Sequence, residues 1–130
     1  MRTAVLIGLG GFIGTILRYI LSGLPYKLID TSFPVGILLV NFIGAFSIGY
    51  FMEFSLTRSM FSDTTRMFVA IGVLGGFTTV STFSYETIAL FRSAQYVYGL
   101  LNVFLTNVFC LGGTMMGIKL VSILRKGTSL

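Results

Sequence analysis

Gly75-Gly76-Phe77-Thr78-Thr79-Val80-Ser81-Thr82-Phe83-Ser84 stands inside the apolar stretch Met67 to Phe91. Two adjacent glycines followed by a run of hydroxyls loosen a helix at a depth where lipid offers no hydrogen bonds. Freed backbone groups survive there only when they are buried in protein, bind an ion or line a wet cavity. A plain membrane anchor has no use for such a run.

The chain of 130 residues is 55% hydrophobic and 10% charged, with a mean hydropathy of +0.94, far too apolar for a soluble domain of this size. It reads as an integral membrane protein forming one domain over residues 1–130, its first apolar stretch a retained helix rather than a signal peptide. The one cysteine, Cys110, lies in an apolar stretch and has neither a second Cys nor a His with which to pair or bind a soft metal. With no His and four acidic residues, the chain lacks the usual material for acid–base or nucleophilic catalysis, so an enzyme is not expected.

Four stretches are long enough to cross a bilayer, Thr3 to Leu21, Phe33 to Phe54, Met67 to Phe91 and Tyr96 to Leu124. Turn residues fill the gaps: Ser22-Gly23-Leu24-Pro25 and Asp30 to Pro34, then Thr57-Arg58-Ser59 through Thr65, then Arg92-Ser93-Ala94-Gln95. Four crossings put Arg2, Arg58, Arg66, Lys119, Arg125 and Lys126 on one side and Arg18, Lys27 and Arg92 on the other. This bias favours cytoplasmic termini but is small enough to admit dual insertion. The basic charge is spread over short loops, which suits lipid headgroups and not nucleic acid.

Gly10 and Gly14, Gly72 and Gly76, and Gly113 and Gly117 stand four apart, and Ala45 with Gly49 extends the pattern, so the helices are expected to pack closely. Four short helices enclose little inner volume, so a polar path across the membrane calls for a second subunit. Asn41 lies roughly 10 Å into the second stretch, where its amide either joins two helices or offers a donor to an ion path. On the fourth stretch Asn107, Cys110 and Thr114 form a weakly polar stripe, with Asn102 and Thr106 on a neighbouring line, either a helix-packing face or, beside a broken third helix, the second wall of a hydroxyl-lined track. Arg18 is placed to snorkel, and Glu86 to lie at the interface or to pair with Arg18. No membrane-centre carboxylate of the kind that drives proton-coupled exchange is present.

These residues resemble the Fluc, or CrcB, fluoride-channel family over essentially the whole chain. Gly10-Gly11-Phe12-Ile13-Gly14 through Arg18-Tyr19 looks like the family's first-helix pattern, and Gly36 through Asn41 like its second-helix Gly-Thr-x-x-x-Asn region, with Ile37 where Thr is usual. The run Gly75 to Glu86 is similar to the family's Gly-Gly-x-Thr/Ser-Thr-Phe-Ser-Thr-Phe-Ser-x-Glu, the most specific match. The resemblance implies an all-α membrane protein with four helices per subunit, the third broken at Gly75-Gly76, residing in the cell's inner (plasma) membrane. It implies an antiparallel, dual-topology homodimer that exports fluoride passively through two pores at the dimer interface. A central structural sodium would be held by the backbone carbonyls of Gly75 and Thr78. Asn41 and Phe83 would be pore residues, with Ser81, Thr82 and Thr114 as hydroxyls along the path, and Arg18 and Glu86 would match family charged positions.

Two departures bear on conduction. Val80 stands at the first of two expected Phe positions, replacing a polarised ring edge by an aliphatic wall, and Cys110 stands where a hydroxyl is common. The anion site nearest Val80 is therefore expected to be weakened or shifted. The competing readings are a small four-helix multidrug exporter, which would want an acidic residue deep in the first helix where none exists, and a non-transporting helix bundle.

Overall fold

The computed structural model describes residues 1–58 and 61–127 and is all-helical over them; Ser59 of the expected second turn lies outside them. Helix α1 (Arg2–Gly23) ends where Leu24 N–H reaches back to the Leu21 carbonyl, and Pro25 opens a short 3₁₀ turn over Pro25–Lys27. Helix α2 (Val35–Arg58) starts directly after Pro34, whose missing N–H costs nothing at a helix start. The next span begins with α3 (Asp63–Met67), capped by Ser62, whose hydroxyl oxygen accepts from Thr65 N–H. It widens into a π-helical stretch over Phe68–Leu74 and returns to α4 (Gly75–Phe77). Helix α5 (Val80–Arg92) completes that span, and α6 (Tyr96–Gly127) is the last.

Among the described residues, four helical stretches are long and apolar enough to cross a membrane: Arg2–Lys27, Val35–Thr57, Asp63–Arg92 and Tyr96–Lys126. They match the expected stretches, with their ends displaced by a few residues.

The expected break at Gly75-Gly76 is not where helical geometry is lost. Gly75 is right-handed helical at φ −65°, ψ −38°, whereas Thr78 (φ −80°, ψ 158°) and Thr79 (φ −152°, ψ 119°) are extended. The glycines serve proximity instead. A Cβ on Gly76 would lie 2.7 Å from the Gly11 carbonyl oxygen, and one on Gly72 would lie 2.8 Å from that of Ile7. A Cβ on Gly14 would collide with the Val73 carbonyl. The third span thus lies backbone to backbone against α1, as the spacing of small residues predicts.

The second close pair is α2 with α6. A Cβ on Gly49 would run into the Thr114 carbonyl, and one on Gly117 into the Phe46 carbonyl, so each helix seats a glycine in the other. Between α5 and α6 the chain reverses at Ala94, whose φ of 59° is left-handed. Gln95 N–H bonds the Leu90 carbonyl at 2.9 Å and Ala94 N–H that of Phe91 at 3.1 Å, the two bonds of a Schellman cap in which glycine is usual. Fully buried side chains are few, Val40, Asn102 and Ser55 being the largest, while Phe12, Leu111 and Ile123 are exposed, as suits a bundle solvated by lipid.

Candidate functional site

The extended pair Thr78-Thr79 is held from two helices. Thr79 N–H, which a continuous helix would send to the Gly75 carbonyl, donates to Asn41 Oδ1 at 2.8 Å, and Asn41 Nδ2 donates to the Thr79 carbonyl at 3.0 Å. From α1, the Arg18 guanidinium donates to the Thr78 carbonyl at 3.3 Å. Each backbone group satisfied in this way avoids a desolvation cost of about 1–3 kcal/mol. Asn41 is therefore an interhelical tie, one of the two roles its position allowed. Its 7% exposure shows that the tie lies inside the protein.

These contacts border a cavity of about 430 Å³ between α2, the third span and α6. Of the residues expected at the site, Asn41, Gly75, Thr78, Val80, Phe83 and Thr114 line it, and so do Thr106, Asn107 and Cys110 of the fourth stretch. Phe83 and the 76% exposed Val80 lie on the first turn of α5, whose N-terminal cap is Thr79. The partial positive charge at the N-terminus of a 13-residue helix therefore lies at the edge of the cavity. The opposite pole is also present. With Thr79 N–H diverted to Asn41, the Gly75 carbonyl loses its helical donor at the negative end of α4.

Ser81 and Thr82 do not line the cavity. Thr79 Oγ1 accepts from Thr82 N–H at 3.2 Å and bonds the hydroxyls of Ser81 and Thr82, both at 3.1 Å, so these two residues build the cap of α5. Thr114 Oγ1 donates to the carbonyls of Ala45 and Cys110, tying α6 to α2.

Arg18 and Glu86 are not brought together within the subunit. Arg18 serves the Thr78 carbonyl, while Glu86 borders a smaller cavity of about 230 Å³ with Tyr26, Ser32, Pro34 and Gln95. One Glu86 carboxylate oxygen, Oε2, is buried without a hydrogen-bond partner among the described residues.

Three residues outside the expected site belong to its walls or supports. Asn107 and Thr106 line the main cavity. Asn102, 1% exposed, donates to Thr87 Oγ1 at 2.8 Å, and Thr87 Oγ1 donates to the Phe83 carbonyl at 2.7 Å, which fixes the Phe83 turn against α6. The stripe of Asn107, Cys110 and Thr114 was the available signal. Its helical spacing named a face that could pack on a helix or wall a polar track, and all three residues line the cavity.

A cation site at the Gly75 and Thr78 carbonyls fits these residues unequally. The Gly75 carbonyl is released from its helical donor, as a cation ligand must be. The Thr78 carbonyl already accepts from a guanidinium, whose positive charge opposes a second cation at the same oxygen.

Comparison with known proteins agrees with the resemblance. Residues 5–118 match the family described as CrcB-like protein, Camphor Resistance (CrcB). A fluoride-specific ion channel FluC of Geobacter sp. (strain M21) is 47% identical over 118 residues, covering 91% of this chain and 95% of that protein. Proteins of the same name from Ruminiclostridium cellulolyticum and Clostridium perfringens are 39% and 40% identical, each alignment covering at least 90% of both chains. With a family match over most of its length and such close relatives, the chain belongs to the CrcB family.

Proposed function

We propose that the chain is a passive fluoride channel and not an enzyme, with the main cavity forming one wall of the ion path. The observation that carries this reading is the Asn41–Thr79 tie, which keeps a helix N-terminus open on a cavity at membrane depth. Fluoride is small and strongly hydrated, so its path must replace water with closely placed donors. Asn41 supplies such a donor, its amide nitrogen keeping one proton beyond the Thr79 bond, and the positive end of α5 favours an anion. Phe83 adds a ring with a positively polarised edge, and Val80 beside it adds none, which weakens the anion site there. Thr114 lies further along α6, and Ser81 and Thr82 hold the cap that keeps the turn open.

The cavity is open toward the outside of the subunit, and Asn107 on its rim is exposed about 16 Å from the start of α6, near the middle of a bilayer. An amide at that depth is poorly served by lipid. A second copy of the chain, inserted antiparallel in the inner membrane, is the cover we infer, and it would complete two paths in a dual-topology homodimer. The small charge difference between the two loop faces is compatible with insertion both ways. A structural sodium at the centre would be held by the Gly75 carbonyls, with those of Thr78 shared with Arg18. The cation would neutralise the negative end of α4.

Purified chain reconstituted into liposomes should release fluoride far faster than chloride. Equal release of the two, or release of neither, would sink the channel reading.

A further inference from the structure

Fluoride accepts hydrogen bonds and donates none, so the residues able to hold it are those with an unengaged proton facing the cavity. Most of the hydroxyls here have no such proton. Thr78 Oγ1 donates to the Leu74 carbonyl at 3.0 Å, and Thr106 Oγ1 to Asn102 Oδ1 at 3.4 Å. Thr79 Oγ1 donates to Thr82 Oγ1 at 3.1 Å. The Thr114 proton is shared between the carbonyls of Ala45 and Cys110, at 3.1 and 3.0 Å. Each hydroxyl has a single proton, so none of these four has one left for an ion. Cys110 adds a thiol that is only a weak donor.

Side-chain amides differ because each nitrogen carries two protons. Asn41 uses one on the Thr79 carbonyl. Asn107 uses one on the Val103 carbonyl at 2.7 Å and stands exposed on the cavity wall. Resting on the channel reading, we propose that Asn107 is a second anion-binding amide: it contributes a donor from α6 as Asn41 does from α2, and supplies what the hydroxyls of this cavity do not. The bond to Val103 orients the amide, so its second N–H is held in place before the ion arrives.

The test is fluoride and chloride efflux from liposomes containing the full chain or its variants Asn107→Leu, Asn107→Asp and Asn107→Gln. Leu and Asp both remove the donors, and each should slow fluoride efflux about tenfold or more, the loss expected for one hydrogen bond to a charged group. Gln restores the amide on a longer stem and should recover part of the rate. Slowing by Leu matters most, because Leu removes the donors without the negative charge that Asp sets beside the Val103 carbonyl and the ion path, and an unfolding midpoint equal to the parent's shows that the slowing is not a loss of fold. Fluoride efflux at the parental rate in both donor-less variants would overturn the proposal while leaving the channel reading intact. Absence of fluoride efflux from the unaltered chain would overturn the channel reading and this site with it.

Discussion

The side-chain amide of Asn41 engages both backbone polar groups of Thr79, a residue 38 positions away, accepting from its N–H at 2.8 Å and donating to its carbonyl at 3.0 Å. An amide side chain here takes the place that a helical turn would occupy. Two non-helical residues are thereby tolerated in the interior of a membrane span.

Replacing Asn41 by Leu removes both bonds and leaves the Thr79 groups buried without partners, Thr79 being 5% exposed. The expected loss is about 3 kcal/mol of stability. Thermal unfolding in detergent should show it, and fluoride flux should fall with it. Asn41→Asp keeps the acceptor for Thr79 N–H but sets a carboxylate against the Thr79 carbonyl. It should be impaired as well, and a variant with parental stability would refute the two-bond account.

Arg18→Gln removes the positive charge beside the Thr78 carbonyl while leaving a hydrogen-bonding side chain. If sodium binds the Gly75 and Thr78 carbonyls, this variant should bind it more tightly than the parent. Sodium-dependent shifts in the melting temperature would measure the change. A weaker sodium response in the variant would mean that Arg18 supports the site instead of competing for it.

Gly14→Ala would place a methyl group in the Val73 carbonyl and 2.8 Å from Phe77 N, both of them backbone groups. Overpacking of this kind costs about 1–3 kcal/mol. Gly8→Ala on the same helix meets nothing within 4 Å and should be neutral or slightly stabilising, because alanine is the better helix former. Comparable losses from both substitutions would contradict backbone-to-backbone packing of α1 on the third span.

Ala94 has a left-handed backbone, a conformation that costs an L-residue about 1 kcal/mol relative to glycine. Ala94→Gly should raise the unfolding midpoint without altering flux, since the residue lies in the turn between α5 and α6, away from the main cavity. A lowered midpoint would show that chain entropy outweighs the relief of strain.

Val80→Phe introduces a ring at a position 76% exposed on the cavity wall. A polarised ring edge beside Phe83 should strengthen the nearby anion site and change fluoride flux. Flux and fluoride affinity unchanged by the substitution would contradict the expected weakness at this position.

Hydropathy and spacing alone determined the four spans, the pairing of small residues and the singularity of the third span, because each depends on composition within one helix. They located that singularity at Gly75-Gly76, the local sequence with the weakest helical preference. Only the tertiary structure decided otherwise. Gly76 stays helical and allows α1 to approach, while Thr78-Thr79 leaves the helix because Asn41 and Arg18, from two other helices, meet its backbone groups. The same limit applies to the hydroxyls. Sequence marks Thr114 as a polar residue at depth, but its proton is shared with the Ala45 carbonyl at 3.1 Å, an acceptor that only the packing of α2 on α6 brings near.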